Sequence, residues 1–275
     1  MMPVIDSKYA WRVIRDARRR DAVGPWRVDD ALVIEPGGRW AAQTDVHDDA
    51  ARLFDTLLPV AFGPRALVVA QLGQSLDGRI ATESGHSHYV TGEASRVHLH
   101  RLRALVDAVI VGAGTVEADD PQLTVRHVEG DDPVRVVLDP RGRVSPDRRL
   151  FRDGGPPTWH VVGDANDAAP GAMALGIDTA DAAALPQRLL AALAERGLHR
   201  VLVEGGGVTI SRFIDADCVD RLHTVVAPLL IGSGRHGLTL AEIETLHDAR
   251  RPACRSYPLG EDRLYDLDLR TSASN

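Results

Sequence analysis

Three stretches of the 275-residue chain hold residue types that could do chemistry together. Two are glycine turns. Val111-Gly112-Ala113-Gly114-Thr115 follows an apolar β-branched run, and Glu204-Gly205-Gly206-Gly207-Val208-Thr209 stands between another such run and a helical pattern. Glycine lets a backbone approach a phosphate, and the start of a following helix adds partial positive charge. Neither turn completes the three-glycine dinucleotide fingerprint, because Glu117 stands where the third glycine of the first would be. A P-loop is excluded, since no G-x-x-x-x-G-K-[ST] occurs. Singly, each is a tight turn; as a pair at strand ends of one sheet, they point to a dinucleotide site.

The third stretch is denser. Gln74-Ser75-Leu76-Asp77-Gly78-Arg79-Ile80-Ala81 follows a strand pattern, and Ser84-Gly85-His86-Ser87-His88-Tyr89-Val90-Thr91-Gly92 leads into a helix that carries Arg103. Asp119-Asp120-Pro121-Gln122-Leu123-Thr124-Val125-Arg126 comes after the next strand. A serine near a helix start and two guanidinium groups suit a phosphate monoester. The same two arginines could instead pair with nearby aspartates such as Asp107 or Asp119.

These residues need a scaffold of strand ends. Short apolar runs at 66–70, 108–111, 134–138, 159–162 and 200–203 are continuous rather than alternating, as in strands covered on both faces of a parallel sheet. Between them the spacing predicts helices from about Glu93 to Leu105, from Leu185 to Arg196 with Gly197 as the stop, and from Gly207 to about Ala216. The segments 222–229 and 263–269 read as extended, the second as a partly exposed antiparallel edge. The expected fold is α/β, with a mostly parallel central sheet, helices on both faces and antiparallel C-terminal strands.

Residues 1–63 have a different texture and hold three of the four tryptophans. They read as a small N-terminal subdomain without evident chemistry, ahead of a domain over 64–275. A helix around Tyr9–Arg15, a short strand at Leu32–Ile34 and a second helix capped by Asp45 and stopped by Pro59 are predicted there.

Composition narrows the partners. A hydrophobic content of 44% supports an ordinary core, and the formal net charge of −7 argues against a general nucleic-acid binder. No run approaches the roughly 20 apolar residues of a membrane span, and the N-terminus lacks a secretory pattern. Cys218 and Cys254 lie far apart and make no metal spacing. A soluble, cytoplasmic protein with idle thiols is expected.

The motifs together resemble the reductase domain of bacterial riboflavin-biosynthesis proteins. Ser75-Leu76-Asp77-Gly78-Arg79, Ser84-Gly85-His86-Ser87, the run from Asp107 to Val116, the run from Asp119 to Arg126 and Glu204-Gly205-Gly206 occur in that family's order over roughly Arg65–Leu269. The resemblance implies a dihydrofolate-reductase-like fold, a homodimer and NADPH as cofactor. It implies that Ser87, Arg103, Leu123, Arg126 and Glu204 contact a phosphoribosyl pyrimidine. Gly73, Tyr89, Thr115, Asp119 and the turn from Gly206 to Arg212 would contact NADPH, with Gly112, Gly114 and Gly205 through Thr209 forming the glycine turns. Tyr89 departs from the tryptophan frequent in the family but keeps an aromatic face. The implied reaction opens a ribosyl ring and reduces C1′ to a ribityl chain, with Asp77, Glu204 or a bound water as proton donor. No residue declares itself a reader of the 2′-phosphate that separates NADPH from NADH.

Other signals fall away. The family's fused zinc deaminase needs H-x-E and then P-C-x-x-C; His127-Val128-Glu129 supplies the first half, but no cysteine pair follows, so reduction alone is expected. His86/His88 and His98/His100 read as polar surface rather than metal ligands, since i,i+2 residues of a helix face apart. The alternatives are a reductase of another phosphoribosylated heterocycle or of a pterin, and a nucleotide-binding protein without catalysis.

Overall fold

The computed structural model describes residues 4–88, 90–163 and 167–272. The chain forms two compact units that meet in sequence at Leu67 and Val68. In the first, α1 (Ser7–Arg18) and α2 (Asp48–Ala61) bracket an antiparallel sheet of β1 (Trp26–Arg27), β2 (Leu32–Ile34) and β3 (Trp40–Ala42). Asp6 caps α1 by accepting the Tyr9 N–H at 2.7 Å, and the helix buries one face through Trp11, Val13 and Ile14.

Two expectations for the second helix fail. Asp45 does not cap it: the Asp45 carbonyl accepts the Ile5 N–H and Val46 bridges Ile5, so this stretch stays extended and the helix begins after His47. Pro59 does not stop it either, but lies inside α2. An interior proline costs about 3 kcal/mol. Leu57, Leu58 and Val60 are completely buried around it, and roughly 1.5–3 kcal/mol per large apolar side chain outweighs that cost.

The second unit continues with β4 (Leu67–Ser75), β5 (Arg79–Thr82), α3 (Glu93–Arg103), β6 (Ala108–Gly112), α4 (Ala113–Asp119), β7 (Val134–Leu138), α5 (Arg149–Arg152) and β8 (Thr158–Val161). After β9 (Met173–Ala174) come α6 (Leu185–Ala194), β10 (Arg200–Glu204), α7 (Gly207–Asp215), β11 (Arg221–Ala227), β12 (Gly234–His236), β13 (Pro252–Leu259) and β14 (Asp262–Ser272). Among the described residues the main sheet runs β13-β14-β11-β4-β10-β6-β7-β8-β9. Pairing is parallel between β11 and β4 and from β10 through β9, and antiparallel where β14 meets β11 and β13. This is the expected α/β sheet.

Both faces are covered, which is why the strands read as unbroken apolar runs. Val68, Ala70, Ala108, Ile110, Val201 and Val203 pack with the leucines of α6 and with Ile210, Phe213 and Ile214 of α7. The alternate residues Val69, Val109, Val111 and Leu202 are buried as well and, by the two-residue period of a strand, face the other way. No helix among the described residues is long and apolar enough to cross a membrane.

The C-terminal end differs from the sequence reading. β14 is not an edge: it lies between β11 and β13, a strand that the sequence pattern did not reveal. The interior position explains why Leu264 and Asp266 are both buried. The Asp266 carboxylate accepts from Arg221 Nη2 at 2.6 Å and stands 3.3 Å from His223 Nε2. His223 Nδ1 lies 2.9 Å from His98 Nε2, with the rings stacked. His98 and His100, expected on the surface, are both buried. They do face apart on α3, but His98 meets β11 while His100 meets the loop at Arg126, so each face is covered.

Burial alone would raise the Asp266 carboxyl, but the charges of His223 and Arg221 outweigh it and hold the pKa at about 2. The folded value thus lies below the ordinary 3.8. Its stabilisation is therefore complete above the unfolded pKa and lost as pH falls through about 2. Asp266→Ala should lower the unfolding free energy at neutral pH by about 3 kcal/mol, because Arg221 loses the closer of its two carboxylate partners and keeps only Asp268 at 3.8 Å. A urea midpoint equal to the wild type at pH 7 would contradict this.

Candidate functional site

A cavity of about 1010 Å³ lies at the carboxyl ends of β4, β10, β6 and β7. Its wall is organised by one buried ion pair. Glu204 ends β10 and Arg103 ends α3, and they meet in a two-pronged contact, Nε to Oε1 at 2.9 Å and Nη2 to Oε2 at 3.0 Å. Arg103 is 7% exposed and Glu204 4%. Arg103 Nη1 also donates to the Thr124 carbonyl at 3.0 Å. A guanidinium has five N–H donors; these three bonds leave two. Arg103 therefore pairs with neither Asp107 nor Asp119. Asp107 instead accepts the His199 and Arg200 N–H groups.

The Thr124 bond reaches into a constrained loop. Asp120 and Leu123 hold φ values of 42° and 56°, and Leu123 is buried there. Such a conformation costs a non-glycine residue about 1–3 kcal/mol and persists only when neighbours impose it. Here the Val125 N–H donates to Asp132 at 2.5 Å, the Arg126 N–H to His100 Nδ1 at 2.9 Å, and the Arg149 N–H to Asp120 at 2.8 Å. Burial first, and then the charges of Arg103, His127 and Arg126, push the His100 pKa down to about 3. It is thus a neutral acceptor. The loop presents Arg126 at the cavity with its guanidinium on Thr124 Oγ1 at 2.6 Å. Partial burial and then the charge of Arg103 pull the Arg126 pKa below its ordinary value.

Across the cavity the two glycine turns interlock. α4 starts directly after β6, so the first turn is a helix start. The Gly206 N–H donates to Thr115 Oγ1 at 2.8 Å, and Gly205, at φ +99°, packs against the same threonine. A Cβ on Gly112 would strike the Thr209 hydroxyl, and one on Gly207 would run into the Gly237 carbonyl. Gly114 differs, because a Cβ there would meet open space in the cavity. Packing does not require that glycine; the close approach of a ligand would. Val208 and Thr209 line the cavity on the first turn of α7, where the Thr209 N–H already donates to the Gly206 carbonyl at 3.0 Å.

Near β4, Gly73 lies beside the Thr91 side chain, and the Ser87 hydroxyl donates to Asp119 Oδ1 at 2.9 Å. Tyr89 falls outside the described residues. Asp77 is the expected site residue that the fold takes elsewhere. It does not line the cavity; its carboxylate accepts from Ser75 Oγ at 2.5 Å and from the Gly232 and Ile231 N–H groups. Those bonds, Ser75 first, hold its pKa at about 2. It is a turn anchor, ionised at neutral pH, and so no proton donor. The other expected site residues that are described line the cavity, except Ile210 and Ser211, which α7 turns into the protein interior.

The sequence reading missed some of the wall. His127, edge-on to the buried His100 at 4.5 Å, was weighed only as half of a zinc motif. Arg235 and His236 arrive on β12, which pairs with β5; strands this short left no period to read. Arg143 follows the turn that ends β7, and the Asp139-Pro140-Arg141-Gly142 turn signature was the available clue.

Residues 66–255 match the profile of the RibD C-terminal domain. A Methanothermobacter thermautotrophicus protein named 2,5-diamino-6-ribosylamino-4(3H)-pyrimidinone 5′-phosphate reductase is 35% identical over 75% of this chain and 99% of its own length. The riboflavin biosynthesis protein RibD of Bacillus amyloliquefaciens is 39% identical over 60% of this chain, a match that spans 46% of that protein. The solved structure of Acinetobacter baumannii RibD superposes with a TM-score of 0.64 at 30% identity, covering 82% of this chain and 65% of that one. The chain therefore belongs to the RibD C-terminal domain family.

Proposed function

We propose that the chain is an NADPH-dependent reductase that converts the ribosyl group of a phosphoribosylaminopyrimidine into a ribityl chain. One observation carries the reading. A single cavity has Arg126, without a carboxylate in hydrogen-bond contact among the described residues, at one wall and two interlocked glycine turns at the other. The first suits the phosphate of a sugar, and the second suits the pyrophosphate of a dinucleotide. The open approach at Gly114 and the helix start at α7 fit the same cofactor. The kinship with a pyrimidinone phosphate reductase that matches this chain over 99% of its own length supports the substrate class. The same family resemblance supports a homodimer working in the cytoplasm.

The nicotinamide cofactor, when bound, supplies the hydride that reduces C1′. The chain's own residues position the partners. Arg126 and the two spare donors of Arg103 hold the phosphate, and the constrained backbone at Leu123 sets the distance between them. Glu204 gives both oxygens to Arg103 and so acts as an acceptor. With Asp77 turned away, the proton that accompanies hydride transfer comes from water admitted to the cleft.

Purified protein should oxidise NADPH, followed at the nicotinamide absorbance, with the deaminated or the diamino phosphoribosyl pyrimidine. A folded protein that binds NADPH yet turns over neither would sink the assignment. Arg126→Ala should lower kcat/KM by about ten- to a hundredfold, the worth of a charged hydrogen bond, mainly through KM for the phosphorylated substrate. An equal loss with an unphosphorylated ribosyl analogue would place Arg126 elsewhere. Glu204→Ala should cost about 3–5 kcal/mol in denaturant unfolding, because Arg103 keeps its charge in a buried place.

A further inference from the structure

We infer that His100 is a substrate-binding residue whose Nε2–H, an uncharged donor, joins Arg103 and Arg126 on the phosphate of the substrate. The inference rests on the reductase reading and adds to it a residue set between the two arginines. Position along the helix carries the first step. His100 stands one turn before Arg103 on α3, so the two side chains share a helix face, with about 5–6 Å between their Cβ atoms. From the other side its Nδ1 accepts the Arg126 N–H at 2.9 Å. All three residues line the cavity. The imidazole thus meets one arginine along the helix and the backbone of the other across the loop, and a ligand held by both arginines comes to its ring.

The second step fixes which ring nitrogen holds the proton. A backbone N–H can only donate, so the nitrogen that accepts it carries no hydrogen, and in a neutral imidazole the proton is then on the other nitrogen. Neutrality has its own cause. Burial, and then the charges of Arg103, His127 and Arg126, hold the pKa at about 3. His100 is therefore the Nε2–H tautomer at neutral pH, and the bond to Arg126 locks it.

The third step is that this donor is unused and still reachable. His100 is only 4% exposed, and its Nε2 has no hydrogen-bond partner among the described residues. The unpartnered Nε2 atoms of His160 and His223 are sealed from solvent, whereas that of His100 is not. A nearly buried side chain thus keeps one unsatisfied donor beside the cavity, and a ligand oxygen that accepts from it recovers the missing bond. A phosphate monoester offers several terminal oxygens to the spare donors of Arg103, to Arg126 and to this imidazole together. A further cation would repel Arg103 and Arg126; a neutral donor adds a bond without that cost.

Calorimetric titration of the full chain with ribose 5-phosphate, compared with His100→Asn, tests this. The asparagine Oδ1 can take the place of Nδ1 and accept the Arg126 N–H, but nothing replaces Nε2–H. The variant should bind ribose 5-phosphate about tenfold more weakly, the worth of one hydrogen bond to a charged acceptor, with its urea midpoint unchanged. Nitrogen-15 spectra of the wild-type imidazoles should show the Nε2–H tautomer of His100, with a resonance that moves on adding ribose 5-phosphate but not ribose. Equal affinity in His100→Asn, or a His100 resonance that ribose 5-phosphate leaves in place, overturns the inference, and the imidazole then serves the loop alone. If the variant is destabilised, the wild-type spectra decide by themselves. Failure of ribose 5-phosphate to bind the wild type removes the phosphate reading and this inference together. Binding with the expected shift but without pyrimidine turnover leaves the inference standing and removes only the proposed reaction.

Discussion

The Arg103–Glu204 pair is the constraint on which the cleft depends. An arginine and a glutamate almost without solvent cost several kcal/mol each in lost hydration, and only close two-pronged contact with further hydrogen bonds offsets this. The end of α3, the end of β10 and the Thr124 carbonyl must therefore meet within hydrogen-bond distance. That requirement places Arg103 and the loop that carries Arg126 at the cavity. It also fixes the segment that follows the left-handed Leu123, where Thr124 is tied to Arg103 and Arg126 to His100.

The opposite wall uses neutral groups for the same end. Thr115 reaches from α4 to the Gly206 N–H, and Thr209 on α7 fills the space beside Gly112. Two turns from neighbouring parallel strands are thereby held in fixed register. Side chains larger than hydrogen at Gly112 or Gly207 would separate them, so those glycines serve packing, while Gly114 leaves open backbone beside the ligand space. One short run thus contains glycines with two different physical reasons.

Much of this was legible because the relevant signals are local. Continuous apolar runs, helical spacing with Gly197 as a stop, and glycines after strands announced the parallel core and the position of the cleft. What the sequence did not disclose depends on contacts between distant segments. Asp45 looks like a cap until Ile5 pairs beside it. Asp77 looks like a proton donor until the 231–232 backbone closes on it. His98 looks like surface until β11 brings His223 to it, and β14 looks like an edge until β13 pairs on its far side. Charged residues were the least legible, because their spacing does not say which partner, 100 residues away, will neutralise them.

That same point resolves an apparent conflict between a net charge of −7 and a cleft suited to anionic ligands. The acids near the strand ends are each engaged: Glu204 by Arg103, Asp77 by two backbone N–H groups, Asp139 by Val144, and Asp119 by the Ser87 hydroxyl. Arg126 and Arg143, by contrast, reach the cavity without a carboxylate in hydrogen-bond contact among the described residues. Exposed charges farther than about 10 Å are largely screened at ordinary salt, so the acidic remainder of the surface contributes little at the cleft. The field a ligand meets is set by which side chains the fold leaves unpaired, and here those are guanidinium groups.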